Sequence, residues 1–122
     1  MTWYGVSAVI AFRFKDGPQD VWPVWENVYL VSADSPEEAE AKAVALARET
    51  QGDDDGSLMC NGRAATREFR GVRKVMTVQN VRAPEDDPVD GAEITFSTVE
   101  LGSEDLLQDL VDGKPVPVKY VE

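Results

Sequence analysis

Hydrophobic and polar positions alternate from Trp3 to Phe14, with Tyr4, Val6, Ala8, Ile10, Phe12 and Phe14 on one side and Trp3, Gly5, Ser7, Val9, Ala11 and Arg13 on the other. A period of two with one strongly apolar side predicts a half-buried strand. The polar run Lys15–Asp20, KDGPQD, is turn chemistry, with Gly and Pro supplying the tight backbone angles. Val24–Ala33 follows as a second strand, antiparallel to the first. Apolar groups stand on both of its faces, and Asn27 is its candidate bulge.

The period then changes. Ser35 offers a capping oxygen, Pro36 suits the first helical position, and Glu38 completes a capping box three residues after Ser35. Glu37 and Glu38 place negative charge at the positive end of the helix dipole. Ala39, Ala43, Leu46 and Ala47 recur at helical spacing, Glu38 and Lys42 are four apart, and Gly52 reads as a stop. The spacing predicts a helix over Ser35–Thr50, whose alanine stripe lets it lie close to a sheet. That stripe is expected to pack on the Tyr4/Val6/Ile10/Phe12 face.

Gln51 to about Thr66 reads as a long polar loop, which is unusual in a compact domain. Phe69–Val81 is predicted as a third strand, Arg82–Gly91 as a loop rich in acid and proline, and Ala92–Leu101 as a fourth strand. Ser103 caps a short helix with Leu106, Leu107, Leu110 and Val111 on its apolar side, ended by Gly113. Two prolines in the tail KPVPVKYVE restrict it to an edge strand or an extended arm. The order is β-β-α-β-β-α. It predicts one α+β domain over residues 1–122, with a four-stranded, mainly antiparallel sheet, one main helix on one face and a short C-terminal helix. The other face, expected to carry Trp3, Trp25 and Tyr29, is predicted to be partly covered by the short helix or by a second copy.

These motifs resemble a bacterial family named only as domain-of-unknown-function family 4288. The resemblance is carried by Trp3-Tyr4 with Val6, by Trp25-Glu26-Asn27, and by Ala33, Ser35, Glu37, Glu38, Ala39, Lys42 and Ala43 at the strand-to-helix step. It continues in Phe69, Gly71 and Val72 and in Asp90-Gly91 with Glu93. It spans about Trp3–Leu101; the Gln51–Thr66 stretch and residues 102–122 depart from it. It implies a small bacterial α+β domain and no activity, so it transfers no functional residue.

Composition narrows the chemistry. With 23 acidic and 12 basic residues the net charge is −11, which disfavours nucleic acid and anionic membranes, since both are bound through cationic neutralisation. The chain has no histidine, which removes the usual general base near neutral pH, zinc sites of the common kind and the Ser-His-Asp and Cys-His arrangements. Cys60 is the single cysteine, so no intrachain disulfide forms, and an ordinary thiol is expected. No apolar run reaches the ~20 residues of a membrane helix. The opening MTWYGVSAVIAF has no basic leader and no small-residue cleavage site, so it reads as a strand and the cytoplasm is the expected location.

Four clusters stand out. Trp22, Trp25, Glu26 and Tyr29 form the densest aromatic group, and Arg63, Arg67, Arg70, Arg73 and Lys74 gather in an otherwise acidic chain. As a site, Trp22, Trp25, Glu26, Tyr29, Arg70, Arg73 and Lys74 would make a ligand or partner patch; as structure, the aromatics pack and the arginines balance acids across strands. Asp53, Asp54 and Asp55 lack the alternation of a calcium loop and read as solvated, as do Glu85, Asp86, Asp87 and Asp90. Gly5, Gly71 and Gly102 make no phosphate-binding pattern. No catalytic residue, metal or cofactor is expected. The functional expectation is a non-enzymatic acidic domain in protein–protein interaction or self-association, an inhibitor of a basic toxin or nuclease being one concrete form. The alternative is a small-ligand-binding domain or weak enzyme with a pocket where Glu26 meets Arg70, Arg73 or Lys74.

Overall fold

The computed structural model describes residues 1–79 and 87–121. Two strands run as the alternation predicts, β1 over Thr2–Phe14 and β2 over Val24–Ala33. They are followed by helix α1 over Pro36–Arg48. Next come β3 over Met59–Cys60 and β4 over Arg63–Thr77. The chain ends with β5 over Val99–Glu100, helix α2 over Glu104–Val111 and β6 over Lys119–Tyr120. The main sheet has four antiparallel strands in the order β2-β1-β4-β3, so β1 is interior and β2 is an edge. The class is α+β, as expected.

α1 forms for the reasons its sequence gives. The Ser35 hydroxyl accepts from the Glu38 N–H at 3.1 Å, and the Glu38 carboxylate reaches back to the Asp34 N–H at 3.4 Å. Ala39 and Ala43 are fully buried against Tyr4, Val6, Val31 and Ala33, while Ala47 packs with Ala8 and Ile10. Leu46, expected in that contact, is instead 40% exposed. Phe12 also lies outside it, because β1 outruns the helix: with Phe14 and Ala65 it forms a separate cluster, closed by Leu58 and Cys60.

The sheet departs from the expected order in two places. Ala92–Leu101 is not a sheet strand. Apart from a Gln79–Glu93 bridge and the Val99–Glu100 pairing, this stretch lies across the second face of the sheet. The fourth strand is β3, inside the segment read as a loop. Asn61 and Gly62 sit at φ 52 and 77, which makes a two-residue hairpin between β3 and β4. The third predicted strand therefore begins at Arg63 rather than Phe69. The end of that strand and the first half of the Arg82–Gly91 loop, with Glu85 and Asp86, lie outside the described residues.

Bulges also sit where they were not expected. β1 and β2 pair without interruption through Asn27. In β4, Lys74 and Val72 face adjacent residues of β1, as do Gly71 and Phe69, so Arg73 and Arg70 are the two extra residues. Gly71 between them takes φ 149, a backbone that glycine tolerates best. Paired bulges raise the local twist and curl the sheet.

Among the described residues, the second face is covered by neither α2 nor another helix. α2 buries none of its residues. The cover is the extended run 94–98. A Cβ on Gly5 would lie 2.3 Å from the Ile94 carbonyl oxygen, so the chain here rests on the bare backbone of β1. Thr95 bonds the Met76 sulfur at 3.4 Å, and the Lys74 ammonium bonds the Phe96 carbonyl. The tail closes the layer through β6 paired with β5.

Candidate functional site

The register of the sheet divides the predicted patch between two faces. Directly opposed residues share a face. Trp25 opposes Ile10 and Tyr29 opposes Val6, so both stand on the α1 side. This corrects the expectation that they share the outer face with Trp3. Trp25 meets Phe12 edge to face, ring centroids 4.8 Å apart, and carries the Arg67 guanidinium 5.8 Å from its own ring centre. Arg67 is held from two further sides, by the Thr50 carbonyl at 2.8 Å and by the Asp54 carboxylate. It therefore ties the C-terminal end of α1 to β4, where a cation suits the helix dipole.

The charged members lie on the opposite face. Glu26 takes two bonds from Arg73, at 2.7 and 3.0 Å, a forked guanidinium–carboxylate pair. The same guanidinium stacks 4.4 Å from the Tyr120 ring centre and reaches the Ser97 hydroxyl at 3.3 Å. Lys74 is engaged by Ser97 as well as by the Phe96 carbonyl. Arg73 and Lys74 thus fasten the covering segment to the sheet. The bulge aims Arg73 in this direction, which alternation alone does not predict.

Trp22 belongs to a third grouping. Arg13 and Arg70 approach its ring at 5.0 and 5.6 Å, and Glu68 lies within reach of both, at 2.7 Å from Arg13 and 3.5 Å from Arg70. The hydrogen bond from Arg13 holds the Glu68 carboxyl below the usual carboxylate range; partial burial opposes this, and the charges of Arg13 and Arg70 add to it. The same bond, with the Glu68 charge, raises the Arg13 value. Arg13 and Glu68 are functional-site candidates that sequence reading missed. They are diagonal neighbours across β1 and β4, a relation set by register and invisible in spacing along the chain.

Two acids of the Asp53–Asp55 run, Asp53 and Asp54, meet cations. Asp53 pairs with Lys15 and accepts from the Gly56 N–H, both of which keep its carboxyl below the ordinary range, the Lys15 hydrogen bond most of all. Among the described residues no three His, Cys, Asp or Glu side chains gather as a metal site. Cys60 packs half-buried on the Phe12/Phe14 cluster.

Among the described residues two apolar hollows stand out. One, of about 300 Å³, is lined by Lys74, Met76, Phe96, Thr98 and Val121. The other, of about 470 Å³, lies between the outer edge of β2 and α1, lined by Trp3, Leu30, Val31, Ser32, Lys42, Ala45 and Leu46. Glu26 lines neither of these two hollows.

The remaining feature is β2 itself. Val24, Trp25, Val28 and Leu30 are 51, 47, 41 and 45% exposed, on both faces of a ten-residue edge strand. Edge strands in natural sheets are normally blunted by prolines, lysines, bulges or brevity. Within β2 there is none of these, whereas the opposite edge, β3, is two residues long. No helix among the described residues is long and apolar enough to cross a membrane.

Searches of curated proteins and of solved structures found no match to the chain. A sequence model described as a domain of unknown function (DUF4288) matches residues 3–95. The matched span runs from Trp3 through β4 to the Ile94 contact on Gly5, and leaves out α2 and the β5–β6 pair. By that match over most of its length, the chain belongs to the DUF4288 family.

Proposed function

We propose that this domain works by protein–protein contact and not by catalysis, with the outer edge of β2 as the contact. The observation that carries the reading is a ten-residue strand edge, capped by Lys42 at its Ser32 end, with four apolar side chains exposed along it. An added strand gains main-chain hydrogen bonds at such an edge, and the flanking side chains supply specificity. The titratable groups described above are engaged in ion pairs that tie elements of this fold together, and the polar network around Arg73 and Lys74 fastens the covering segment.

Affinity capture with the wild-type protein and with the double variant Val28→Lys/Leu30→Lys tests this. Both side chains are exposed, so the fold is expected to survive, and a lysine pair blocks strand addition. The expected result is a bound protein, the chain itself included, that the wild type retains and the variant loses. Retention of nothing by the wild type, or equal retention by both, defeats the reading. Salt separates the classes of partner. A basic protein drawn to the −11 charge is released as salt rises, whereas a contact made along β2 persists.

A further inference from the structure

The direction of each backbone group in β2 follows from two hydrogen bonds. The Phe12 N–H donates to the Pro23 carbonyl at 3.0 Å, so the odd-numbered residues of β2 turn their amides and carbonyls toward β1. The even-numbered residues turn theirs outward. Independent support comes from Lys42 on α1, whose ammonium reaches over the edge to the outward carbonyl of Ser32 at 2.6 Å. That contact occupies one end of the edge. Among the described residues, those of β2 with both outward groups left over are Val24, Glu26, Val28 and Leu30; Ser32 keeps only its N–H.

This run is symmetric about Asn27. We propose that the occupant of the β2 edge is a second copy of this chain, its β2 running antiparallel with Asn27 on the two-fold axis, so that two four-stranded sheets join into one of eight. The inference rests on the reading of β2 as an interaction edge and adds the identity of the partner. In this register Val24 faces the second copy's Leu30 and Glu26 faces the second copy's Val28. Every outward group in the run then finds a mate, and none is contested by Lys42. On the α1 side, Trp25 faces the second copy's Tyr29, an aromatic cross-strand pair, and the two Asn27 amides meet. Shifting the centre by one residue, to Val28, would place Val24 against Ser32 and bring the strand into competition with Lys42.

Charge permits the pairing. Glu26 is the single charged residue in β2, and its carboxylate is already neutralised by Arg73. The hollow of about 470 Å³ beside Leu30, Ser32, Lys42 and Leu46 opens along the same edge, where the second copy's Val24 would arrive. Like net charge opposes association of two copies, so screening strengthens it.

The test uses the full chain. Sedimentation equilibrium is expected to show a monomer–dimer equilibrium that tightens from about 50 mM to about 500 mM NaCl. Val28→Pro removes an outward N–H and leaves the β1 ladder whole, and is expected to weaken dimerisation about tenfold or more. Val28→Lys provides the same readout without altering the backbone. In a Cys60→Ala background, Asn27→Cys places two thiols across the axis at a pair whose Cα atoms lie about 4.5 Å apart, within disulfide reach. It is expected to oxidise to a covalent dimer, and Val28→Cys, which faces Glu26 and not itself, is not. A wild type that stays monomeric to about 1 mM overturns the proposal, and so does a dimer unaffected by Val28→Lys or not trapped by Asn27→Cys. A monomer that still retains a foreign protein lost on Val28→Lys/Leu30→Lys overturns the dimer and leaves the interaction reading standing. A monomer that retains nothing overturns both.

Discussion

At the scale of single residues, two positions on β1 carry more of the architecture than their size suggests. Gly5 is the point where the covering segment touches the sheet, and a methyl group there collides with backbone, not with a side chain that can turn aside. Gly5→Ala is expected to cost about 1–3 kcal/mol and to loosen residues 92–98, read as a lower midpoint in urea and faster amide exchange in that segment. Ser7, two residues on along the same face, is fully buried, and its hydroxyl has no hydrogen-bond partner among the described residues. A buried hydroxyl without a mate carries its desolvation penalty uncompensated. Ser7→Ala removes the penalty at little cost in volume, so a stabilisation of about 1 kcal/mol is expected, measured by the same unfolding titration. The pair makes opposite predictions for the same substitution type on one strand, so a general effect of adding alanine cannot produce both.

At the scale of elements, legibility followed the range of the signal. α1 was readable because its cap, dipole charges and stripe are all local, and Ser35→Ala is expected to cost about 1 kcal/mol, seen as a drop in melting temperature of a few degrees. β1 and β2 were readable for the same reason, through period two. The hairpin at Asn61-Gly62 was equally local, since Asn-Gly is a strong signal for a tight turn, yet the surrounding glycines and aspartates make the stretch look like one long loop. The bulges at Arg70 and Arg73 were not readable, because nothing within β4 shows which of its residues lacks a partner on β1. The same gap hid the fate of Ala92–Leu101. Its alternation fits a strand, but among the described residues its pairing is limited to the Gln79–Glu93 bridge and the Val99–Glu100 ladder. The run between them lies across the second face on the bare backbone of Gly5, a placement set by tertiary contact and not by local pattern. For the site, residue types were legible and neighbours were not: the Trp22–Arg13–Glu68–Arg70 group assembles from three separate parts of the chain.

At the scale of the whole molecule, the charge imbalance makes acid response informative. Twelve basic residues cannot neutralise 23 acids, so much of the surface repels itself at neutral pH, and the pairs that exist stand out against that background. Glu68 and Asp53 are two acids whose pKa the fold lowers, through Arg13 and Lys15 respectively. A carboxyl with a lower pKa folded than unfolded binds fewer protons in the native state. Its stabilisation is therefore complete above the unfolded value, near pH 4, and disappears as pH falls through the folded value. The expected result is a melting temperature that drops from about pH 4 downward, even though protonation of the unpaired acids is relieving repulsion over the same range. Glu68→Gln removes one of the two contributions. At pH 7 the variant should melt slightly lower, by less than about 1 kcal/mol in stability, because the pair is partly exposed. Below about pH 4 its curve should be flatter than that of the wild type, and the two should converge. If the wild type instead grows more stable on acidification through that window, relief of repulsion outweighs the ion pairs. The cross-strand contacts around Trp22 would then be holding shape through packing of Arg13 and Arg70 on the ring, with charge contributing little.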